Sequence, residues 1–185
     1  MTELPEIVEL GPEEEARRLW TGAKEARERA EKDLIALFEA VELGLRAVEI
    51  LVIERLSPVR DRFPATIAIQ LDRPRPEVDT VEDAITVPNS LQFTEILDLL
   101  SEEGLECVAP GLHRGWEDRR FSCKRSRTTA QEALGVALKK EERTDLLLLS
   151  AYRNRIFRAP PPVQVVPAEI RRAFQSLEAL AEGLL

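Results

Sequence analysis

The chain has 185 residues, 44% of them hydrophobic, enough for one domain of ordinary size with a real core. Aromatics make up only 5%, so that core is expected to be built from Leu, Val, Ile and Ala. No apolar run approaches the ~18 residues of a membrane span, the acidic start Met1-Thr2-Glu3-Leu4-Pro5-Glu6 is unlike a secretory leader, and two cysteines suit free thiols in a reducing, cytoplasmic compartment.

Residues 1–10 read as an irregular leader in which Ile7, Val8 and Leu10 pack locally. Gly11-Pro12 followed by Glu13, Glu14 and Glu15 is a helix start: proline suits the first turn, and carboxylates suit the positive end of the macrodipole. From there Leu19, Ala23, Ala26, Ala30, Leu34, Leu37, Val41, Leu45, Val48, Val52 and Leu56 recur at steps of four and three. That period is helical and predicts one continuous helix over 12–56, ended by Ser57-Pro58. Such a rod would be about 65 Å long at about 1.5 Å per residue. Its first half is a narrow alanine seam, and its second half is widened by Ile35, Phe38, Leu43, Ala47, Ile50, Leu51 and Ile53.

Thr66 to Leu71 alternates and is partly β-branched, which predicts a strand. Asp72 to Pro88 reads as a loop with a short strand at Ala84 to Val87, and Asn89 or Ser90 caps a helix to Glu103. Strands are predicted at Leu105 to Ala109 and Arg119 to Arg125, a helix capped by Thr128 or Thr129 and running to about Arg143, and a buried strand at Leu146 to Ala151. Pro160 to Pro162 is a stiff linker, Val163 to Val166 an edge strand, and Pro167 opens a last helix striped by Ile170, Phe174, Leu177, Leu180 and Leu184. The expected architecture is α+β: a long N-terminal helix over 1–60, a ferredoxin-like β-α-β-β-α-β domain over 61–159, and a linker with a C-terminal helix over 160–185.

Charge is unevenly spread. Residues 61–112 carry 11 acids and 3 bases, whereas residues 113–158 carry 6 acids and 12 bases, net +6 in a chain of net −8. Within that basic block Arg114, Arg119, Arg120, Lys124, Arg125 and Arg127 interleave with Trp116 and Phe121, and Arg153, Arg155 and Arg158 follow. Guanidinium forks suit phosphate and aromatics suit stacked bases, so the block is a candidate for a nucleic acid or other polyanion. RNA-recognition modules of ferredoxin-like fold place an aromatic on the first strand, where this chain has Thr66, Ala68 and Gln70, and no resemblance to them is drawn.

Other clusters point nowhere as sharply. Asp72, Glu77, Asp79, Glu82 and Asp83 offer oxygen ligands without the glycine of a calcium loop. Cys107, Cys123 and His113 give three soft ligands and no C-x-x-C pair. Tyr152 and Asp145 flank a predicted strand and could line a cleft. No catalytic residue, metal or cofactor is assigned, since no phosphate loop, nucleophile elbow or His-Glu-x-x-His is present.

The expected function is therefore contact. A stripe over residues 19–56 has too little of its own chain to cover it, which predicts a homo-oligomer or a helical protein partner bound at Leu19, Ala23, Ala26, Ala30, Leu34, Leu37, Val41 and Leu45. The alternative is a polyanion-binding subunit using residues 113–127 and 153–158.

Overall fold

The computed structural model describes residues 11–31, 33–71, 91–102, 124–158 and 165–185. In chain order these form α1 (Pro12–Arg29), α2 (Leu34–Leu56), a short 3-10 helix η1 (Ser57–Arg62), α3 (Ala65–Leu71), α4 (Phe93–Leu100), α5 (Lys124–Leu134), α6 (Lys140–Arg158) and α7 (Pro167–Leu184). The described residues contain no strand, and the α+β, ferredoxin-like expectation is overturned. One isolated parallel bridge joins Ser101 to Leu138. It is closed by Leu138 N–H donating to Leu100 O at 2.8 Å and Glu102 N–H donating to Leu138 O at 3.0 Å.

The predicted single rod is two helices. α1 stops after Arg27 and Arg29, cations on the negative end of the dipole. Asp33 then takes an extended conformation and accepts from Ile35 N–H at 2.8 Å, capping α2. The two helices lie antiparallel: Arg29 pairs with Glu39 at 2.9 Å near the turn, and Arg46 reaches Glu15 at 4.0 Å near the far end. Between them a Cβ on Gly22 would sit 3.3 Å from Leu43 Cδ1, so the backbones are close midway. The period that suggested one helix runs through the turn almost unbroken, and this is why the break is hard to see in the sequence.

α7 lies across both helices of the hairpin. Its Phe174 ring stacks on Trp20 of α1, with centroids 6.2 Å apart and planes 10° from parallel. Arg27 lies over the Phe174 ring, 6.0 Å from its centroid. A Cβ on Gly44 would come within 2.8 Å of Leu177 Cδ2 and 3.4 Å of Trp20, so α2 and α7 meet where α2 has no side chain. α6 packs on α7, and α4 is wedged among α2, α5 and α6. Each fully buried Leu, Ile or Phe in this core contributes about 1.5–3 kcal/mol relative to exposure.

Two predicted strands are helices for identifiable reasons. In 66–71 the alternating Ile67 and Leu71 are also i and i+4, and both are buried on α3, which starts with Ile67 and Ala68 N–H groups bonding Pro64 O. The run from Leu146 to Ala151 is the middle of α6: Leu146, Leu149 and Ser150 point inward, while Leu147 and Leu148 are half-buried against neighbouring helices. No Gly or Pro bounds that run, and helix continues on both sides of it from Lys140 to Arg158. The helix expected over 128–143 is split, because α5 ends at Gly135, whose φ of 70° is the left-handed C-terminal stop that glycine favours. The predicted strand at 119–125 meets the described residues only at Lys124 and Arg125, which open α5. Of the predicted edge strand, Val165 and Val166 are the extended lead into α7. The predicted strands at 84–87 and 105–109 lie outside the described residues.

Candidate functional site

The apolar stripe is covered from within. Ala23, Ala26, Ala30, Leu37, Val41 and Leu45 are buried, Leu19 is half-buried and packed on the core, and Val48, Val52 and Leu56 continue the buried row. Folding the rod into a hairpin turns each half of the stripe onto the other, and α7 closes over both. No second chain is needed to shield it. Leu34 is the exception at 41% exposed, because it opens α2 just after the turn.

Leu34 is not alone there. Ile35 beside it is 76% exposed, and Val166, the residue before α7, is 48% exposed. Arg171, one turn into α7, donates to Ala30 O at 3.0 Å. That bond sets the start of α7 beside the hairpin turn, so all three side chains belong to the same end of the bundle. Glu31, Asp33, Glu39 and Glu169 are exposed around it.

The basic block is only partly described: Arg114, Trp116, Arg119, Arg120 and Phe121 lie outside the described residues. Lys124 and Arg125 are exposed on the first turn of α5 and make no ion pair among the described residues. Arg127 is half-buried, and its charge acts on Asp98. Arg153 is a structural cation instead: it pairs with Glu49 on α2 at 2.9 Å and lies 5.8 Å from the Phe93 centroid. Arg155 and Arg158 are on α6. α5 and η1 flank an open cleft of about 320 Å³ lined by Arg62, Arg125, Thr128, Thr129 and Glu132. Arg62 pairs across it with Glu132 at 2.8 Å.

Next to the cleft is a polar layer that the sequence did not flag. Glu95, Asp98, Ser101, Ser126 and Thr129 are all buried. Arg143 of α6 donates to Asp98 Oδ1 at 2.9 Å, and Gln131 Nε2 donates to Ser101 O at 2.9 Å and Leu100 O at 3.3 Å. Glu95 accepts from Gln92 N–H at 2.9 Å, closing the N-terminus of α4. Burial pushes the Asp98 carboxyl above its ordinary value, against the hydrogen bond and charge of Arg143. The signal available in the sequence was the spacing of Glu95 and Asp98 on the apolar face of α4, one turn apart among Ile96, Leu97, Leu99 and Leu100.

Tyr152 and Asp145 are bonded between α6 and α7. The buried Tyr152 hydroxyl accepts from Val166 N–H and contacts Glu169 Oε2, each at 3.3 Å. Asp145 accepts from Ser176 at 3.0 Å and Arg172 at 3.5 Å. Both residues tie α6 to α7. The acidic loop 72–83, Cys107, Cys123 and His113 lie outside the described residues. Among the described residues no group of three or more His, Cys, Asp or Glu side chains is placed to hold a metal, and no helix is long and apolar enough to cross a membrane. No family model, curated protein or solved structure matches the chain.

Proposed function

We propose that the chain works by contact: a non-enzymatic protein that oligomerises or docks a helical protein partner at the end of the bundle where α1 turns into α2. The observation that carries this reading is the convergence of Leu34, Ile35 and Val166, the exposed large hydrophobics among the described residues, on one end. Single exposed apolar residues are ordinary, but a group rimmed by polar residues marks a contact site. The carboxylates of Glu31, Asp33, Glu39 and Glu169 around it favour a partner with an apolar stripe and basic flanks. Within this reading the protein is cytoplasmic, on the strength of its sparse cysteines.

A photo-crosslinking side chain placed at position 35 of the full chain tests the reading. The expected result is one discrete product, of twice the chain's mass or of the chain plus one protein, that Val166→Ser diminishes and that is absent when the probe sits at exposed Glu54. Light scattering at rising concentration reads the homo-oligomer arm directly. A monomer throughout, with no discrete product from position 35 in native extract, removes the reading.

A second reading, polyanion binding, draws its support from Lys124 and Arg125, exposed on α5 with no ion pair among the described residues.

A further inference from the structure

We propose that the cleft between η1 and α5 binds a single phosphate-type oxyanion, held by Arg125, the Thr129 hydroxyl and Arg62. The inference is independent of the docking reading. It narrows the polyanion reading to one phosphate group and stands even if no polymer binds.

Arg125, Thr128, Thr129 and Glu132 are spaced i, i+3, i+4 and i+7, so they form one face of α5, and η1 brings Arg62 opposite them. The cleft, about 320 Å³, lies at the small end of ligand sites, which run to roughly 300–1,000 Å³.

The second observation is Thr129. It is 5% exposed, it lines the cleft, and its hydroxyl makes no hydrogen bond among the described residues. Helical threonines elsewhere in the chain turn back onto the carbonyl four residues earlier: Thr21 on Arg17 O at 3.0 Å, Thr128 on Lys124 O at 3.0 Å and Thr144 on Lys140 O at 2.8 Å. Thr129 does not. Its hydroxyl is therefore free to donate to a ligand oxygen in the cleft.

The charges agree. Arg125 makes no ion pair among the described residues. Arg62 spends one donor on Glu132 and keeps others, since guanidinium carries five. That pair neutralises the carboxylate in the cleft, which leaves Arg125 as its net positive charge, with exposed Lys124 one residue away. No acid lies among Lys124 to Arg127, the first described residues of α5. A phosphate group presents enough oxygens for two guanidinium forks and a hydroxyl together; a carboxylate, with two, does not.

Backbone-amide NMR of the full chain, titrated with inorganic phosphate and separately with a short single-stranded oligonucleotide, tests the site. Saturable shifts at Arg62 and residues 125–132 are expected. Arg125→Ala should weaken binding about tenfold or more, the loss of one charge-assisted hydrogen bond. Thr129→Val, nearly isosteric, should weaken it several-fold with the thermal midpoint held or raised, and Glu132→Gln should tighten it. Tighter saturation of the same amides by the oligonucleotide identifies a nucleic-acid phosphate as the source; response to inorganic phosphate alone identifies a small phosphate ester, and supports the site while ending the polymer reading. The proposal is overturned if neither titrant gives a saturable shift, or if Arg125→Ala and Thr129→Val both leave binding unchanged.

Discussion

The hairpin with its α7 cover and the α4–α5–α6 layer are both buried, by opposite means. The interior of the first is Ala, Leu, Val, Ile, Trp and Phe, and the ion pairs of α1, Arg17–Glu13, Arg29–Glu39 and Arg46–Glu15, sit on its surface. The second buries Glu95, Asp98, Ser101, Ser126 and Thr129 and holds an ion pair, Arg143–Asp98, with little exposure on either side. Stability in the first region should follow volume. In the second it should follow whether each polar group keeps its partner. Phe174→Ala probes the first: it empties a fully buried ring site stacked on Trp20 and should cost about 3–5 kcal/mol in urea unfolding. A cost under about 1 kcal/mol would mean that the site collapses, and that α7 is a looser cover than its packing implies.

Arg143→Met probes the second region. It strands the Asp98 carboxylate in a buried site and should cost about 3–5 kcal/mol, although the side-chain volume hardly changes. Removing both partners, Arg143→Met with Asp98→Leu, should recover most of that loss. No double change in the apolar region is expected to behave this way, so the sign of the coupling separates the two kinds of burial. Additive losses would show that Asp98 leans on other groups more than on Arg143.

The same carboxylate makes the polar layer sensitive to pH. A 2.9 Å bond to Arg143 alone would lower the Asp98 pKa, yet burial outweighs it and raises the value above 3.8, with Glu95 adding to the rise and Arg127 opposing it. The unfolded chain releases this proton near 3.8 while the folded chain holds it to higher pH. Across that window the folded state binds more protons, so the contribution of Asp98 is fully present below 3.8 and is lost as pH rises through the folded value. Urea unfolding at stepped pH should show the native chain losing stability relative to Asp98→Asn over that interval. A difference independent of pH would place Asp98 in a wetter site than its burial indicates.

The contrast also explains what the sequence disclosed. Apolar period marked the inward faces of the hairpin region without dividing its helices: the stripe from Leu19 to Leu56, Leu34 excepted, and that of Ile170, Phe174, Leu177, Leu180 and Leu184 pack into the core. Period alone could not tell where the chain reverses, because Ala26 and Ala30 lead into Leu34 and Leu37 at helical steps across the turn. Outside the hairpin it misled, since Ile67 and Leu71 on α3 fit both an alternating strand and one face of a short helix. The four leucines from 146 to 149 carry no period at all. The polar layer and the cleft were less legible still. Arg62 and Arg125 are 63 residues apart in the sequence, and Asp98 and Arg143 are 45 apart, so only the fold brings them together. Arg125 was visible as part of a basic run, but nothing local marked Thr129.

The smallest expected effect concerns the turn that separates a hairpin from a rod. Asp33 makes one capping bond, to Ile35 N–H at 2.8 Å, and Asp33→Ala should cost about 1 kcal/mol. That is far less than the burial of Leu37, Val41 and Leu45 against α1 and α7, at about 1.5–3 kcal/mol each. Packing rather than the cap should therefore hold the reversal, and Asp33→Ala should remain a hairpin of unchanged hydrodynamic radius that melts slightly earlier. The alternative outcome is informative in its own right. Without the cap, residues 30–34 contain no Gly or Pro to stop α1 running into α2, and the straightened rod would expose both halves of the stripe. Such a chain would bury them by exchanging hairpin arms with a second copy, because a hinge variant that opens finds its own missing element in a neighbour. An enlarged, concentration-dependent species from Asp33→Ala in light scattering would thus show that one hydrogen bond, and not the core, decides between shielding the stripe within one chain and between two.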